Sequence, residues 1–201
     1  MLDLFYSIER RKVRYPRVTV YPDLSVKFVI PLRYSDEHIQ HFIKEHQPWV
    51  QKKLAAFSKP RPKFIELQPG EILFMGKAVI ADFDPRNQKE LEKFYRSQAK
   101  HHFVIRTTEL ATQFGFTFNK ISITGAQTRW GSCSSKKNLS FTFSLVKAPP
   151  SIIDYVILHE LAHTKIMNHS PRFWDLVSKL YPDHKIARKW LRVYGRELSQ
   201  L

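Results

Sequence analysis

Residues 155–170 read YVILHELAHTKIMNHS, and this stretch decides the fold. His159 and His163 are four positions apart, so on a helix both imidazoles project from the same face. Two neutral imidazoles at this spacing can bind one zinc ion. Glu160 follows the first histidine and can take a proton from water at the open side of the metal. The pattern H-E-x-x-H therefore predicts a helix that carries a hydrolytic zinc site.

The residues around these histidines form the most apolar helical run in the chain. The alternative interpretation is a buried helix with incidental histidines. However, burying two imidazoles and a carboxyl group without a shared partner costs free energy. A metal ion is the partner that satisfies all three. The apolar residues of this run are Ile152, Ile153, Tyr155, Val156, Ile157, Leu158, Leu161 and Ala162.

His169 is the candidate for a third zinc ligand, which gives the pattern H-E-x-x-H-x5-H. The chain has to turn back after the helix to bring His169 to the metal, and Asn168 tolerates the left-handed conformation that can end a helix. Ser170-Pro171 is typical of an N-cap followed by proline at the first helical position. Phe173 and Trp174 would then pack behind His169. The alternative role of His169 is a solvated loop residue.

The composition indicates a globular protein of one domain, or of one domain with a smaller N-terminal lobe. The chain has 201 residues, of which 43% are hydrophobic and 13% aromatic, which is enough for a core. Its single cysteine, Cys133, excludes an internal disulfide and fits a reducing compartment. No apolar run resembles a signal peptide or a membrane span, so we expect a cytoplasmic protein without a membrane partner.

The formal net charge is +15. A basic surface attracts polyanions such as nucleic acid, and it also attracts acidic protein surfaces. A basic protein with no specific anionic partner is an equally open interpretation. The sequence indicates no oligomeric state.

Hydrophobic periodicity predicts an α+β protein. The predicted elements, in order, are a strand pair in 8–34 that turns at Pro22-Asp23, a helix capped by Ser35, a hairpin near Gly76, a helix from about Lys89 to Phe114, a sheet in 120–147, the metal helix capped by Ser151, a helix from Pro171 to Tyr181, and a last basic helix through Lys185 to Arg196. The proline-rich segment 58–63 predicts a boundary. We therefore expect a strand-pair and helix lobe at 1–62 and a metal-binding domain at 63–201.

The strand at 138–145 directly precedes the metal helix, so we expect it to hold an extended substrate by backbone pairing, with Ser140 and Thr142 at the substrate. Arg129 and Trp130 are further candidates, because arginine beside an aromatic ring suits both phosphate binding and stacking. The alternative is that Arg129 packs over Trp130 to organise the sheet.

Two more side chains have open roles. Cys133 would close the metal site if it were a fourth ligand, and its alternative role is that of a small buried residue. His184 would polarise a substrate carbonyl if it lay near the metal, and its alternative role is an exposed residue that begins the last helix. We expect Tyr155 to pack in the core.

Segments 128–134 (TRWGSCS), 154–163 (DYVILHELAH) and 168–174 (NHSPRFW) closely resemble the YgjP-like zinc metallopeptidases, and the resemblance extends over the whole chain. The metal segment is also similar to that of SprT-like and Spartan proteases. The resemblance implies a zincin-type core with His159, His163 and His169 as zinc ligands and Glu160 as general base. It does not imply a substrate.

Two classes of function remain. In the first, the protein is a zinc metalloendopeptidase that acts on a protein or peptide substrate. In the second, the zinc site is structural or vestigial, and the protein is a basic module associated with nucleic acid. Glu160 favours the enzyme, because a structural zinc site does not need a glutamate at this position.

Overall fold

In the computed structural model, which describes residues 6–21, 23–58 and 64–199, the chain forms two units, residues 1–61 and 62–201. The predicted boundary lies between residues 62 and 63, and the assignment of separate domains stays a prediction. Two predicted features, Pro22 of the first turn and the proline-rich segment at 59–63, lie outside the described residues.

The first unit begins with three strands, whereas the sequence predicted a pair. They are β1 (Tyr6–Arg11), β2 (Arg17–Val20) and β3 (Val26–Pro31), in the order β1-β3-β2. β1 runs parallel to β3, and β2 runs antiparallel to it. The predicted first arm of the pair, which began at residue 8, is divided into β1 and β2 by the loop at 12–16.

Helix α1 (Asp36–Ser58) covers this sheet. The Ser35 hydroxyl accepts a hydrogen bond from the His38 amide at 3.3 Å, which confirms the predicted cap. The apolar side chains that α1 and β3 share form the core of the unit. They are Val26, Phe28, Ile30, Ile39 and Val50.

The second unit contains the remaining elements. They are the hairpin β4 (Glu71–Phe74) and β5 (Lys77–Ile80), α2 (Gln88–Phe114), β6 (Ile121–Thr124), β7 (Gly131–Cys133), β8 (Leu139–Thr142), a 3-10 helix (Phe143–Lys147), α3 (Pro150–His163), α4 (Pro171–Leu180) and α5 (His184–Ser199). The turn of the hairpin at Gly76 and the end of α2 at the left-handed Gly115 are as predicted. The α+β fold class is confirmed.

β8 is the central strand of the second sheet, which has the order β6-β8-β7. β6 is parallel to β8, and β7 is antiparallel to it. The strand predicted to continue to Leu145 ends at Thr142, and the chain then winds into the 3-10 helix. The alternation of apolar and polar residues was misleading here, because Ser144 is buried together with Phe143 and Leu145.

α3 is the helix around which the second unit packs. Ile153, Ile157 and Leu161 are fully buried, and α3 contacts α2, α4, α5 and β7. The predicted cap at Ser151 is wrong: the helix begins at Pro150, because proline fits the first helical position, and Ser151 lies inside the helix. None of the helices in the described residues combines the length and apolarity needed to cross a membrane.

Candidate metal centre

Three histidines meet at the C-terminal end of α3. His159 and His163 lie on the last turns of the helix, and His169 lies in the segment that joins α3 to α4. The Nε2 atom of His169 is 3.1 Å from that of His159 and 3.2 Å from that of His163. One nitrogen atom from each of the three therefore faces a common point.

The turn after α3 brings His169 back to the helix. α3 ends at His163, and the amides of Lys165 and Ile166 both donate to the Ala162 carbonyl. The helix thus ends well before Asn168, so the predicted role of Asn168 as its terminator is wrong. Backbone hydrogen bonds to Ala162 make the turn instead.

The same turn orients the imidazole of His163. Its Nδ1 atom lies 3.0 Å from the Ile166 carbonyl. A carbonyl oxygen only accepts hydrogen bonds, so Nδ1 carries the proton and the lone pair of His163 is on Nε2, which faces the other histidines. This is the arrangement that orients a histidine ligand toward a metal.

Two aromatic side chains of α4 hold the three imidazoles in place, as the sequence predicted for His169. Phe173 is fully buried, stacks on His163 with ring centroids 4.4 Å apart, and meets the other two imidazoles edge-on. Trp174 stacks on His169 at 5.5 Å. Ser170 occupies the N-cap position of α4, although its side chain makes no capping hydrogen bond.

The geometry of the three nitrogens fits a zinc ion. Nitrogen atoms bound tetrahedrally at about 2.0–2.1 Å from one zinc lie about 3.3 Å apart. The two separations measured from His169 Nε2, 3.1 and 3.2 Å, are close to this value. Within the described residues the cluster takes its ligand atoms from His159, His163 and His169, so it offers three of the four protein ligands that a closed zinc site would have.

Burial keeps the helix histidines in the form that binds metals. Desolvation, together with the neighbouring imidazoles, lowers the pKa of His159 to about 3. Desolvation also lowers the pKa of His163. Both side chains are therefore neutral at neutral pH, and neutral imidazole is the form that ligates zinc.

Glu160 lies on the buried side of α3 with 6% of its surface exposed. Desolvation raises the pKa of Glu160 to about 8, and the positive charge of Arg129 opposes this shift. General-base catalysis is most effective when the pKa of the base lies near the working pH, and burial moves the pKa of Glu160 upward from 4.5 toward that range.

β7 lies against Glu160 at Gly131. A β-carbon at residue 131 would come 2.7 Å from Cγ of Glu160 and 2.8 Å from its Oε1 atom. Only glycine therefore allows the strand and the carboxyl group to approach this closely. Gly131 was not among the site residues predicted from the sequence, although an isolated glycine inside a strand is a known signal of close backbone approach.

A family model described as YgjP-like, metallopeptidase domain, matches residues 14–89 and 76–194. The chain belongs to the YgjP-like family. It therefore contains a metallopeptidase domain, and the resemblance drawn from the sequence is confirmed. Searches of the curated proteins and of the solved structures find no match to the chain.

In this YgjP-like domain the strand beside the metal helix is β7. The prediction that the strand at 138–145 lies there and holds the substrate is therefore wrong. β8 is paired by β6 on one side and by β7 on the other, so its backbone has no free edge for a substrate. Ser140 and Thr142 thus lie in the centre of the sheet, and Thr142 is only 1% exposed. Sequence proximity to the helix was misleading because strand order depends on long-range pairing.

Arg129 and Trp130 differ in their surroundings. Arg129 is exposed, and its charge acts on Glu160. Trp130 is half-buried and packs against α5, where a β-carbon at Gly195 would come 2.8 Å from the indole ring. This contact favours the packing role for Trp130 over stacking on a ligand.

The remaining candidates are also placed. Cys133 is half-buried and is not part of the histidine cluster. Desolvation and the charge of Glu160 raise the pKa of its thiol. His184 begins α5, but the expected exposure is wrong: it is 7% exposed because its ring stacks on Trp174. Tyr155 is buried in the core, as predicted.

Proposed function

We propose that the protein is a zinc-dependent endopeptidase in which His159, His163 and His169 hold the metal. The observation that carries this proposal is the convergence of the three histidine nitrogens, 3.1 and 3.2 Å apart, at the end of a helix that also bears a buried carboxyl group. Three histidine ligands with an open fourth position are typical of catalytic zinc sites, whereas structural sites have four protein ligands. Membership of a metallopeptidase family supports the same conclusion.

Glu160 is the general base of the proposed reaction. It accepts a proton from the attacking water molecule and passes it to the leaving amide nitrogen when the peptide bond breaks. Zinc, when bound, lowers the pKa of water toward about 7 and polarises the substrate carbonyl. Gly131 and the buried surroundings hold the Glu160 carboxyl group for this proton transfer.

The free edge of β7 is the proposed binding site for an extended peptide. The backbone of β7 bonds to β8 through alternate residues, since the Thr142 amide donates to Trp130 and the Ser134 amide donates to the Asn138 carbonyl. In an antiparallel pair the residues between these point their backbone groups the other way. The N–H and C=O groups of Gly131 and Cys133 are therefore directed to the side where a substrate strand can pair.

Metal removal and restoration test the proposal. We expect purified protein to contain one zinc per chain, to hydrolyse casein or a mixed peptide library, to lose this activity when a chelator strips the metal, and to regain it with zinc. Hydrolysis that is unchanged in the zinc-free protein, measured by mass spectrometry of the products, would contradict a catalytic metal.

The alternative function, a nucleic-acid-associated module with a structural or vestigial zinc site, predicts a different outcome. Chelation would then lower the melting temperature, and no hydrolysis would be seen at any zinc concentration. Cys133→Ser separates the two readings of the site. Because Cys133 is not part of the histidine cluster, we expect this variant to retain both zinc and hydrolysis, whereas a closed structural site would lose its metal.

A further inference from the structure

One end of the first sheet gathers basic side chains from two separate loops. β1 ends at Arg11 opposite Pro31 of β3, and β2 begins at Arg17 opposite Val29. The loop at 12–16 and the loop that follows β3 therefore meet at the same end of the sheet. We call this surface the basic end, and it consists of Lys12, Arg14, Tyr15, Arg17 and Arg33.

Hydrogen bonds fix the two loops to one another. The Arg33 guanidinium donates to the Arg14 carbonyl at 2.7 Å. The Leu32 amide donates to the Arg11 carbonyl at 3.2 Å, and the Val13 amide donates to the same carbonyl at 2.9 Å. The basic end is thus organised before any ligand binds, which lowers the entropic cost of binding.

The charges at the basic end are not neutralised by carboxylates. Arg11 and Lys27 pair with Glu9, and Arg10 pairs with Asp36. In contrast, the cations of the basic end are exposed, and none of them forms a salt bridge within the described part of the chain. These cations are Lys12, Arg14, Arg17 and Arg33. Unpaired cations on a fixed surface attract a polyanion.

Tyrosine rings alternate with these cations. Tyr15 is 66% exposed, and the Arg14 guanidinium lies over its ring at 5.2 Å. The Arg33 guanidinium lies over the half-buried ring of Tyr34 at 5.9 Å. An exposed tyrosine ring contributes little to the stability of the fold. It does offer a face on which an unpaired base can stack. An acidic protein surface would use the charges and leave the ring unused.

We propose that the basic end binds single-stranded nucleic acid, with phosphates on its arginine and lysine side chains and a base stacked on Tyr15. Duplex DNA has its bases already stacked, so it cannot use the tyrosine ring in this way. The surface belongs to the first unit, whereas the histidine cluster belongs to the second, so this proposal does not depend on the proposed peptidase activity.

Fluorescence anisotropy of the full-length protein with a labelled, mixed-sequence single strand of about 20 nucleotides tests the proposal. Four phosphate contacts predict that the logarithm of the association constant falls with the logarithm of the salt concentration with a slope of about −3. Tyr15→Ser should weaken binding by about 5- to 100-fold, the range expected for loss of one stacked base. No binding at low salt, or undiminished binding by Tyr15→Ser, would overturn the proposal.

A matched pair of variants distinguishes binding at the basic end from a general attraction of nucleic acid to a basic protein. Lys12→Ser/Arg14→Ser/Arg17→Ser should weaken binding by at least about tenfold and flatten the salt dependence. Lys44→Ser/Lys52→Ser/Lys53→Ser removes the same charge from exposed positions on α1, and it should change binding less than threefold, by about half a logarithmic unit at most. Equal losses in both variants would show that only the net charge matters.

Two further measurements use the wild-type protein, so they do not depend on the folding of a variant. Photo-crosslinking to a single strand that contains 5-iodouracil should attach the nucleotide to Tyr15, and an adduct elsewhere without one at Tyr15 would overturn the proposal. Competition completes the test. The competitors are a duplex of the same sequence and polyglutamate, each at equal charge concentration. Displacement of the single strand by the duplex would assign the surface to duplex nucleic acid, and displacement by polyglutamate would assign it to an acidic protein.

Discussion

The backbone of Gly131 lies directly against the carboxyl group of Glu160. A methyl group at residue 131 would come 2.7 Å from the Glu160 Cγ atom and 2.8 Å from Oε1. The strand proposed to bind a peptide and the proposed general base are therefore in contact, and the absence of a side chain at residue 131 makes this contact possible. A change at Gly131 should act on the reaction without touching the metal.

Gly131→Ala should retain one zinc per chain and lower peptide hydrolysis by about 10- to 100-fold, because a misplacement of the base by about 1 Å has a cost of this size. Zinc content and the initial rate of hydrolysis are measured on the same sample. Gly125→Ala is the matched control, since its new methyl group would meet the flexible end of Arg96 at 3.1 Å and make an ordinary van der Waals contact with the Phe143 ring at 3.5 Å. Loss of zinc, or equal rates in the two variants, would contradict this role of Gly131.

His169→Ala should weaken zinc binding by at least about 100-fold, because even the loss of a residue that only supports a metal ligand costs 10- to 100-fold. Competition with a chromophoric chelator gives the dissociation constant. His101→Ala, which removes an exposed histidine from α2, should bind zinc like the wild type. Normal zinc affinity in His169→Ala would assign the metal to the two helix histidines alone.

The sequence predicted the parts of this site whose residues lie close together in the chain, and it did not predict the parts that are brought together by long-range pairing. His159, Glu160 and His163 lie within two turns of one helix, so their spacing alone placed them. The contact of Gly131 with Glu160 depends on which strand borders the helix, and this is decided by the pairing of β7, β8 and β6 over long distances in the chain.

Two of the errors in burial, at His184 and Ser144, have the same origin. His184 was expected on the surface because it begins a basic helix, but Trp174 of the preceding helix covers it. Ser144 looked like the outward residue of an alternating strand, yet the change to a 3-10 helix buries it. In both cases contacts with other elements bury the residue: Trp174 packs on His184, and the 3-10 helix packs against α2 and α5.

Because Lys147 is buried, we expect the free energy of unfolding to depend on pH. Its side chain is 4% exposed and lies over the Tyr95 ring at 4.6 Å. Desolvation lowers the pKa of Lys147 from 10.5 to about 8. Between these two values the unfolded chain binds the proton more strongly than the folded protein does. The contribution of Lys147 to the free energy of unfolding therefore increases as the pH rises through this window.

We expect the free energy of unfolding of the wild type to rise by about 2 kcal/mol relative to Lys147→Met between pH 7.5 and 9.5, in line with about 1.4 kcal/mol for each unit of pKa shift. Urea unfolding of both proteins at the two pH values measures this difference. The comparison removes the contribution of every other titrating group that the two proteins share. A difference between the proteins that does not change with pH would contradict the lowered pKa, because it would show that Lys147 binds its proton equally well in the folded and the unfolded chain.

Glu160→Gln tests the central claim most directly. Glutamine keeps the size of the side chain and much of its hydrogen bonding, but it cannot accept the proton, so we expect zinc content and melting temperature to match the wild type. On a peptide that the wild type cleaves, the rate of hydrolysis by the zinc-loaded variant should fall by at least about 10²-fold, the lower limit of a typical general-base contribution. Equal rates of hydrolysis in Glu160→Gln and the wild type, at equal zinc content, would contradict the account.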